Sequence, residues 1–427
     1  MIEPQQVVRQ VGWRLVPFLT FLYFVNFIDR VNVGFAALTM NKAIGLSPLA
    51  YGWGAGIFFL GYFLFEVPSN LALHRFGARR WIARIMVSWG IVSAAMALVA
   101  GPASFVALRF LLGIAEAGFF PGIILYLTYW FPGAARARIV GAFMTAVPLS
   151  SVIGNPLSAY LLGFDGIGGI EGWRWLFILE GVPALLLGIA VWFYLPDRPA
   201  EARFLSPEAR DWLTATLTAE QAANTAARRF SLIDALTNPK VLLLAAIYFG
   251  LVMSLYGIVL WLPQLAGGFG LSTQQIGFVT AIPYLVAASG MYLFGRHSDA
   301  RGERRFHLAF AAAVAGIALI ATPYVGPSGI TLLVLCAAAW GIYAALPVFW
   351  AIPAGFLAGS AAAGAIGLIN SLGNLGGFAG PYLIGWLRQA SGDFAAGLVI
   401  LGLGCLAAAG TALLAGFQLD NGRGLGS

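Results

Sequence analysis

The 427-residue chain is 60% hydrophobic and only 10% charged, which leaves too little polar surface to coat the soluble domains its length would allow. Its net charge of +7 would suit a polyanionic partner, but the basic residues concentrate in loops between apolar stretches. That placement excludes a nucleic-acid binder and points to a membrane protein.

A bilayer core about 30 Å thick takes roughly 20 apolar residues per helix. Stretches of that length recur at 15–38, 50–72, 81–100, 104–128, 138–163 and 174–195, then at 240–264, 274–295, 306–325, 330–356, 364–387 and 394–417. The expected fold is all-α and membrane-integral, with twelve transmembrane helices in two six-helix bundles. The bundles occupy 1–195 and 240–427, joined by a cytoplasmic central loop at 196–239. The opening MIEPQQVVRQVGWR lacks a short apolar core with a small-residue cleavage site, so the first span is expected to stay as an anchor. Spans rich in Gly and Pro, such as GLINSLGNLGGFAGPYLIGWL, are tolerated where neighbouring helices satisfy the freed backbone groups. The 54 glycines therefore read as close helix packing.

With both termini cytoplasmic, the basic residues outside that side are Lys42, Arg174, Arg388 and two inside spans, Arg30 and Arg109. This is a positive-inside pattern. Cys336 and Cys405 lie in apolar spans as packing residues. His74, His297 and His307 fall in or beside loops without metal-ligand spacing, so no metal or cofactor is expected. The central segment, LPDRPAEARFLSPEARDWL onward, predicts a surface helix after Ser206. An offset of 225 residues lays NLALHRFGARR on GRHSDARGERR and Pro156 on Pro381. The chain thus reads as a duplicated six-helix unit, the arrangement of a rocking transporter with a site near the midplane.

Charges inside spans carry the chemistry, because each costs at least about 2.5 kcal/mol at the bilayer centre. In the first span Tyr23, Asn26, Asp29 and Arg30 follow helical spacing. In the fourth, Arg109, Gly113 and Glu116 form one stripe, with about 10 Å of rise between the charges. Tyr62, Glu66 and Asn70 form another in the second span. The second half offers neutral candidates instead: Tyr256, Trp350, Asn370 and Asn374. A carboxylic acid in a poorly solvated cavity can take up and release a proton, which makes Asp29 and Glu116 the proton-coupling candidates. A guanidinium stays charged and offers a planar fork to a carboxylate. Arg30 is accordingly the anion clamp and Arg109 a second cation. Anion at Arg30 would compete with Asp29 or Glu116 for positive charge and raise their proton affinity, which is symport by reciprocal linkage. The competing reading makes Arg109 and Glu116 a structural pair, and Glu66 and Glu180 are read as structural.

The stretches GAGIFFLGYFLFEVPSNLALHRFGARRWIARI, RFLLGIAEAGFFPGIILYLTYWFP, GWRWLFILEGVPA and LPDRPAEARFL resemble the anion:cation symporter family of the major facilitator superfamily. The similarity is greatest to its tartrate, phthalate and related aromatic or sugar-acid permeases, and runs from about Val16 to Trp386. The resemblance implies proton-coupled uptake of a small organic anion across the bacterial inner membrane by a functional monomer, with lipid, protons and the anion as partners. It also implies protonatable Asp29 and Glu116, cavity contacts at Arg30, Tyr62, Trp350 and Asn370, and a charge-organising Arg109. The basic loop clusters supply a cytoplasmic gate of Arg79, Arg80, Asp299 and Arg304. Two departures stand out: His74 occupies the first-copy position of Asp299, and Phe27 stands where some members carry tyrosine.

Three rivals are weaker. Organophosphate antiporters of the superfamily pair arginines in the first and seventh spans, but the span from Val241 to Pro263 has none. A membrane sensor would need an appended soluble domain, and an enzyme a nucleophile–base pair or phosphate loop in the spans.

Overall fold

A computed structural model of the chain describes residues 3–225, 238–326, 328–356 and 359–414. The expected spans are helices in the expected order: α1 (Pro4–Ala43), α2 (Pro48–Phe76), α3 (Ala78–Leu98), α4 (Pro102–Thr128), α5 (Arg138–Leu162) and α6 (Gly172–Tyr194). The second set is α7 (Pro239–Gly267), α8 (Thr273–Arg301), α9 (Arg305–Tyr324), α10 (Gly329–Phe356), α11 (Gly359–Ser391) and α12 (Ala395–Leu414). Eleven of these are long and apolar enough to cross a bilayer. The twelfth, α11, has the length, 33 residues, with its hydropathy diluted by glycine, serine and asparagine.

Several helices outrun the apolar stretches that announce them, because an apolar window measures bilayer thickness and a helix continues while its ends find partners. α1 begins at Pro4, whose missing N–H suits a first turn. Its polar start leans on the segment after α6: Gln10 Nε2 donates to the Phe204 carbonyl at 2.8 Å, and the Arg14 guanidinium lies 4.1 Å from the centre of the Tyr194 ring. The surface helix predicted after Ser206 spans Pro207–Thr225. Ser206 Oγ accepts from Ala209 N at 3.2 Å, satisfying one of the orphan amides of the first turn. Glu220 of this helix accepts from Gly133 N and from Arg136 Nη2, both at 3.0 Å, and so ties it to the helical turn that leads into α5.

Within the first six helices α3 packs on α6, α2 on α4, and α1 on α5. Within the last six, α7 packs on α11 and α12, α8 on α10, and α9 on α10 and α12. The halves meet along α2 with α11 and α5 with α8, and where α7 touches the end of α1.

Backbone contact shuts the end of the bundle opposite the N-terminus. A Cβ on Gly52 would stand 2.5 Å from the Pro381 carbonyl and 3.0 Å from Gly385 Cα, and one on Gly277 would stand 3.0 Å from the Asn155 carbonyl and 3.1 Å from Pro156 Cα. Gly52 and Gly277 are 225 residues apart, the offset that carries Pro156 onto Pro381. The two seals are therefore copies of one another. Tyr51 OH donates to the Leu260 carbonyl at 2.8 Å, and Asn155 Nδ2 to Thr280 Oγ1 at 3.2 Å, both across the halves. At the N-terminal end, every ion pair among the described residues stays within one half or joins it to the central segment.

Replacing Gly52 by leucine is expected to wedge this seal open. Spin labels at Leu49 and Gln389, on opposite sides of it, then show a longer and broader distance distribution; an unaltered distribution would mean that the glycine contact is not what shuts this end.

Candidate functional site

Glu116 sits where its helix breaks. α1 runs on through Asn32, two residues beyond Arg30, with that residue's backbone still α-helical and its N–H donating to the Ile28 carbonyl at 2.9 Å. α4 ends its first section at Glu116 and resumes at Phe119, after Gly118 with a φ of 84°. That conformation favours glycine, and a Cβ there would collide with Ser69 of α2. Broken helices at midplane depth are how transporters point backbone and charge at a site.

Arg30 is 6% exposed and Glu116 not at all. Arg30 Nε donates to Glu116 Oε1 at 2.9 Å, and its Nη2 reaches the same oxygen. The remaining arm, Nη1, donates to the hydroxyl of Tyr256 on α7 at 3.0 Å. The one guanidinium thus joins a carboxylate of its own half to a phenol of the other. Below it lie the rings of Phe58, 5.4 Å from the guanidinium carbon, and Tyr62, 5.2 Å away, whose faces attract a desolvated cation. Tyr256 is packed in turn on Phe59, with ring centres 4.3 Å apart. The Glu116 oxygen Oε2 has no hydrogen-bond partner.

Arg109, two stripe positions from Glu116, does not bond to it. Its Nε and Nη2 donate to the Gly54 and Ala55 carbonyls at 3.4 and 3.2 Å, and its guanidinium carbon lies 5.0 Å from the Phe58 ring. Phe58 therefore has two guanidinium groups near its ring. Gly113 makes this possible: any side chain there would strike the Phe58 carbonyl, so the Arg109–Gly113–Glu116 stripe is the face that α4 lays against α2.

Asp29 is 1% exposed and bonds to neither arginine. It turns into the first bundle, where Asn32 Nδ2 lies 3.5 Å from Oδ1. Glu66 of α2, also buried, accepts from Asn370 Nδ2 at 2.9 Å and Ser371 Oγ at 3.2 Å, both on α11. This second bridge between the halves carries the expected contact Asn370. Trp350 on α10 is half-buried against Tyr248 and Phe349, with ring centres 4.9 and 5.2 Å away. Neither Asn370 nor Trp350 touches Arg30.

The loop residues pair within their own half or with the segment that follows it. Arg79 N donates to Asp197 Oδ1 at 2.8 Å, with its Nε 3.5 Å from Oδ2, and Arg80 is exposed. In the second copy Arg304 pairs with Asp299 and donates to Ser298 Oγ at 2.8 Å. His74, where the first copy lacks the aspartate, meets the Tyr129 hydroxyl at 3.2 Å. Glu303 caps α9 through the Phe306 and His307 amides and meets His307 Nδ1 at 2.5 Å. Burial pushes its carboxyl up, but those hydrogen bonds prevail and hold it below the usual carboxylate range.

Sequence reasoning singled out Arg30, Glu116, Tyr62 and Tyr256, and the structure gathers them. It missed Ser371, Phe58 and the helix break after Glu116. Gly118, inside EAGFFPG, was the available signal for that break; Phe58 and Ser371 carry no sequence mark that separates them from packing residues.

A family model described as Major Facilitator Superfamily matches residues 19–381 and 242–421. A protein of Agrobacterium vitis named for tartrate transport is 49% identical over 418 residues, covering 98% of this chain and 96% of that one. A quinolone resistance transporter of Acinetobacter baumannii is 44% identical over 400 residues, 93% and 92% of the two chains. In fold the chain is similar to a bacterial homolog of the human lysosomal transporter Spinster in an inward-facing, occupied conformation, with a TM-score of 0.75 at 20% identity over 94% and 96% of the chains.

Removing one partner of a buried pair strands the other's charge, at a cost of about 3–5 kcal/mol, whereas an apolar double replacement is often neutral. Glu116→Ala is therefore expected to lower the unfolding temperature of the protein in detergent, and Arg30→Met with Glu116→Met to recover most of the loss. No recovery in the double variant would show that the pair is held by more than its mutual charge.

Proposed function

The chain belongs to the major facilitator superfamily, a family of membrane transporters and not of enzymes, and from that premise we propose that it imports a small organic anion together with protons. The anion is a carboxylate such as tartrate, phthalate or a related aromatic or sugar acid. The observation that carries this reading is the Arg30–Glu116 pair, buried at a helix break and reaching Tyr256 across the halves. A substrate carboxylate that takes the Arg30 fork displaces Glu116, and a displaced carboxylate in a dry site takes up a proton. Anion and proton then favour each other's binding by reciprocal linkage. Tyr62, Trp350 and Asn370 complete the pocket by stacking and hydrogen bonding, and Arg109 fixes the local potential. Asp29 is a second proton carrier.

The two bundles, 1–195 and 240–427, rock about this site, with 196–239 as a cytoplasmic connection. Both termini lie in the cytoplasm of a bacterial cell and the protein works as a monomer in the inner membrane. In this orientation the glycine seals close the outer face. Arg79, Arg80, Asp299 and Arg304 regroup to close the inner one. Import of an acid is supported over efflux of a drug by the higher identity to the tartrate-named relative and by the permanent cation in the site.

Proteoliposomes holding the protein are expected to accumulate labelled tartrate or phthalate faster under an inward proton gradient. In Glu116→Gln, accumulation is lost while exchange of internal for external anion persists; proton-driven accumulation by this variant would remove Glu116 from coupling. Arg30→Ala is expected to abolish anion-induced thermal stabilisation, and a retained shift would exclude the clamp role.

A further inference from the structure

Glu66 on α2 is 4% exposed and has no part in the transport chemistry above. One donor meets each of its oxygens: Asn370 Nδ2 reaches Oε1 at 2.9 Å and Ser371 Oγ reaches Oε2 at 3.2 Å, both from α11. An amide nitrogen only donates, so the oxygen opposite it must accept. Two neutral donors, one per oxygen, make a seat for a carboxylate.

A second seat lies one helical turn away. Tyr62 precedes Glu66 by four residues, about 6 Å of rise, and its ring is 5.2 Å from the guanidinium carbon of Arg30, on which Glu116 sits. Tyr256, the other partner of Arg30, packs on Phe59 of α2 with ring centres 4.3 Å apart. α11 continues the same wall: a Cβ on Gly377 would stand 2.6 Å from the Phe59 ring, and one on Gly373 would strike the Tyr248 ring of α7. Asn370, Ser371, Tyr248 and Trp350 are only half-buried, and polar side chains inside a span open to a cavity and not to lipid. Two donor sets thus share one wall, each filled by an acid of the first half.

We propose that Asn370 and Ser371 form a second carboxylate subsite with Glu66 as its resident occupant, so that the substrate is a dicarboxylate which displaces Glu116 from Arg30 and Glu66 from α11 together. The subsite belongs to the import reading above and rests on it. An acid with one carboxylate fills one seat and leaves the other bridge intact. An acid with two replaces both, and itself becomes the link between Arg30 and the second half. Glu66, parted from its donors in a dry site, takes up a proton, so a dianion brings one proton more than a monoanion. The charged and titratable groups around Glu66 are Tyr62 on its own helix, Arg30 of α1 with its partner Glu116 of α4, and Tyr248 of α7. α3 meets this stretch of α2 through Trp81, which donates to Ser69 and carries Arg84 against its ring, and α11 supplies the two neutral donors.

The test is isothermal titration calorimetry of the full-length protein in detergent with tartrate and with threonate, the same skeleton with one carboxylate reduced to an alcohol. Titrations run at a pH where every substrate carboxyl is ionised, and buffers of different ionisation enthalpy count the protons taken up. The wild type is expected to take up one proton more per tartrate than per threonate, and Glu66→Gln to remove that difference. Ser371→Ala is expected to lower the preference for tartrate over threonate by at least about tenfold, the worth of a hydrogen bond to a charged group. Equal proton counts for the two acids in the wild type, or a Ser371→Ala variant that weakens both alike, would overturn the subsite and leave import of an acid standing. Binding of neither acid would overturn the import reading with it. Should a variant fail to fold, the wild-type proton comparison still decides.

Discussion

A guanidinium cannot give up its charge, and in the middle of a bilayer that charge must be met by protein. Arg30 imposes this requirement on everything around it. Its answer comes from three directions: the Glu116 carboxylate on α4, the Tyr256 hydroxyl on α7, and the ring faces of Phe58 and Tyr62 on α2. Meeting them brings α1, α2, α4 and α7 to one point, which includes both halves of the molecule. The glycine at 113 and the break at 118 follow from the same demand, since α4 must approach α2 closely and then redirect.

Much of this architecture is legible in the sequence because the bilayer is a simple solvent. Twelve apolar stretches, the central polar interval and the 225-residue offset all follow from length and hydropathy, and the helices appear in that order. Which charges lie buried inside the spans was legible too, because an ionised residue in an apolar run is costly wherever it points. Which charge meets which was not. Adjacent residues on a helix diverge by about 100°, so Asp29 and Arg30 look like a pair in sequence but serve opposite sides of α1. The stripe of Arg109 and Glu116 suggested a partnership, yet Arg109 is satisfied by backbone carbonyls, which have no signature in a sequence. Glu66 and Glu180 were read as structural because each adjoins a Gly/Pro packing segment, but the partners they bond are side chains on other helices: Asn370 and Ser371 for one, Ser158 for the other.

The buried acids divide the interior by function of environment. Glu116 is neutralised by a permanent cation, Glu66 is held by neutral donors from across the halves, and Glu180 takes a hydroxyl from Ser158 within its own bundle. The second half contributes phenol, amide and hydroxyl to these settings but no charge, so a shift of one half against the other exchanges hydrogen bonds and leaves buried charge within its own bundle.

The twin seals at Gly52 and Gly277 are made of backbone and small groups: carbonyl oxygens, Cα atoms and the Ala159 methyl. Pairings at the opposite end are ionic and partly exposed, such as Arg79 with Asp197 and Arg136 with Glu220. Dissolved salt screens exposed charges beyond about 8 Å at physiological strength and does nothing to a glycine resting on a carbonyl. The two mouths of the molecule are therefore tuned to different media, one to the packing pressure of the surrounding lipid and the other to the electrolyte that bathes it.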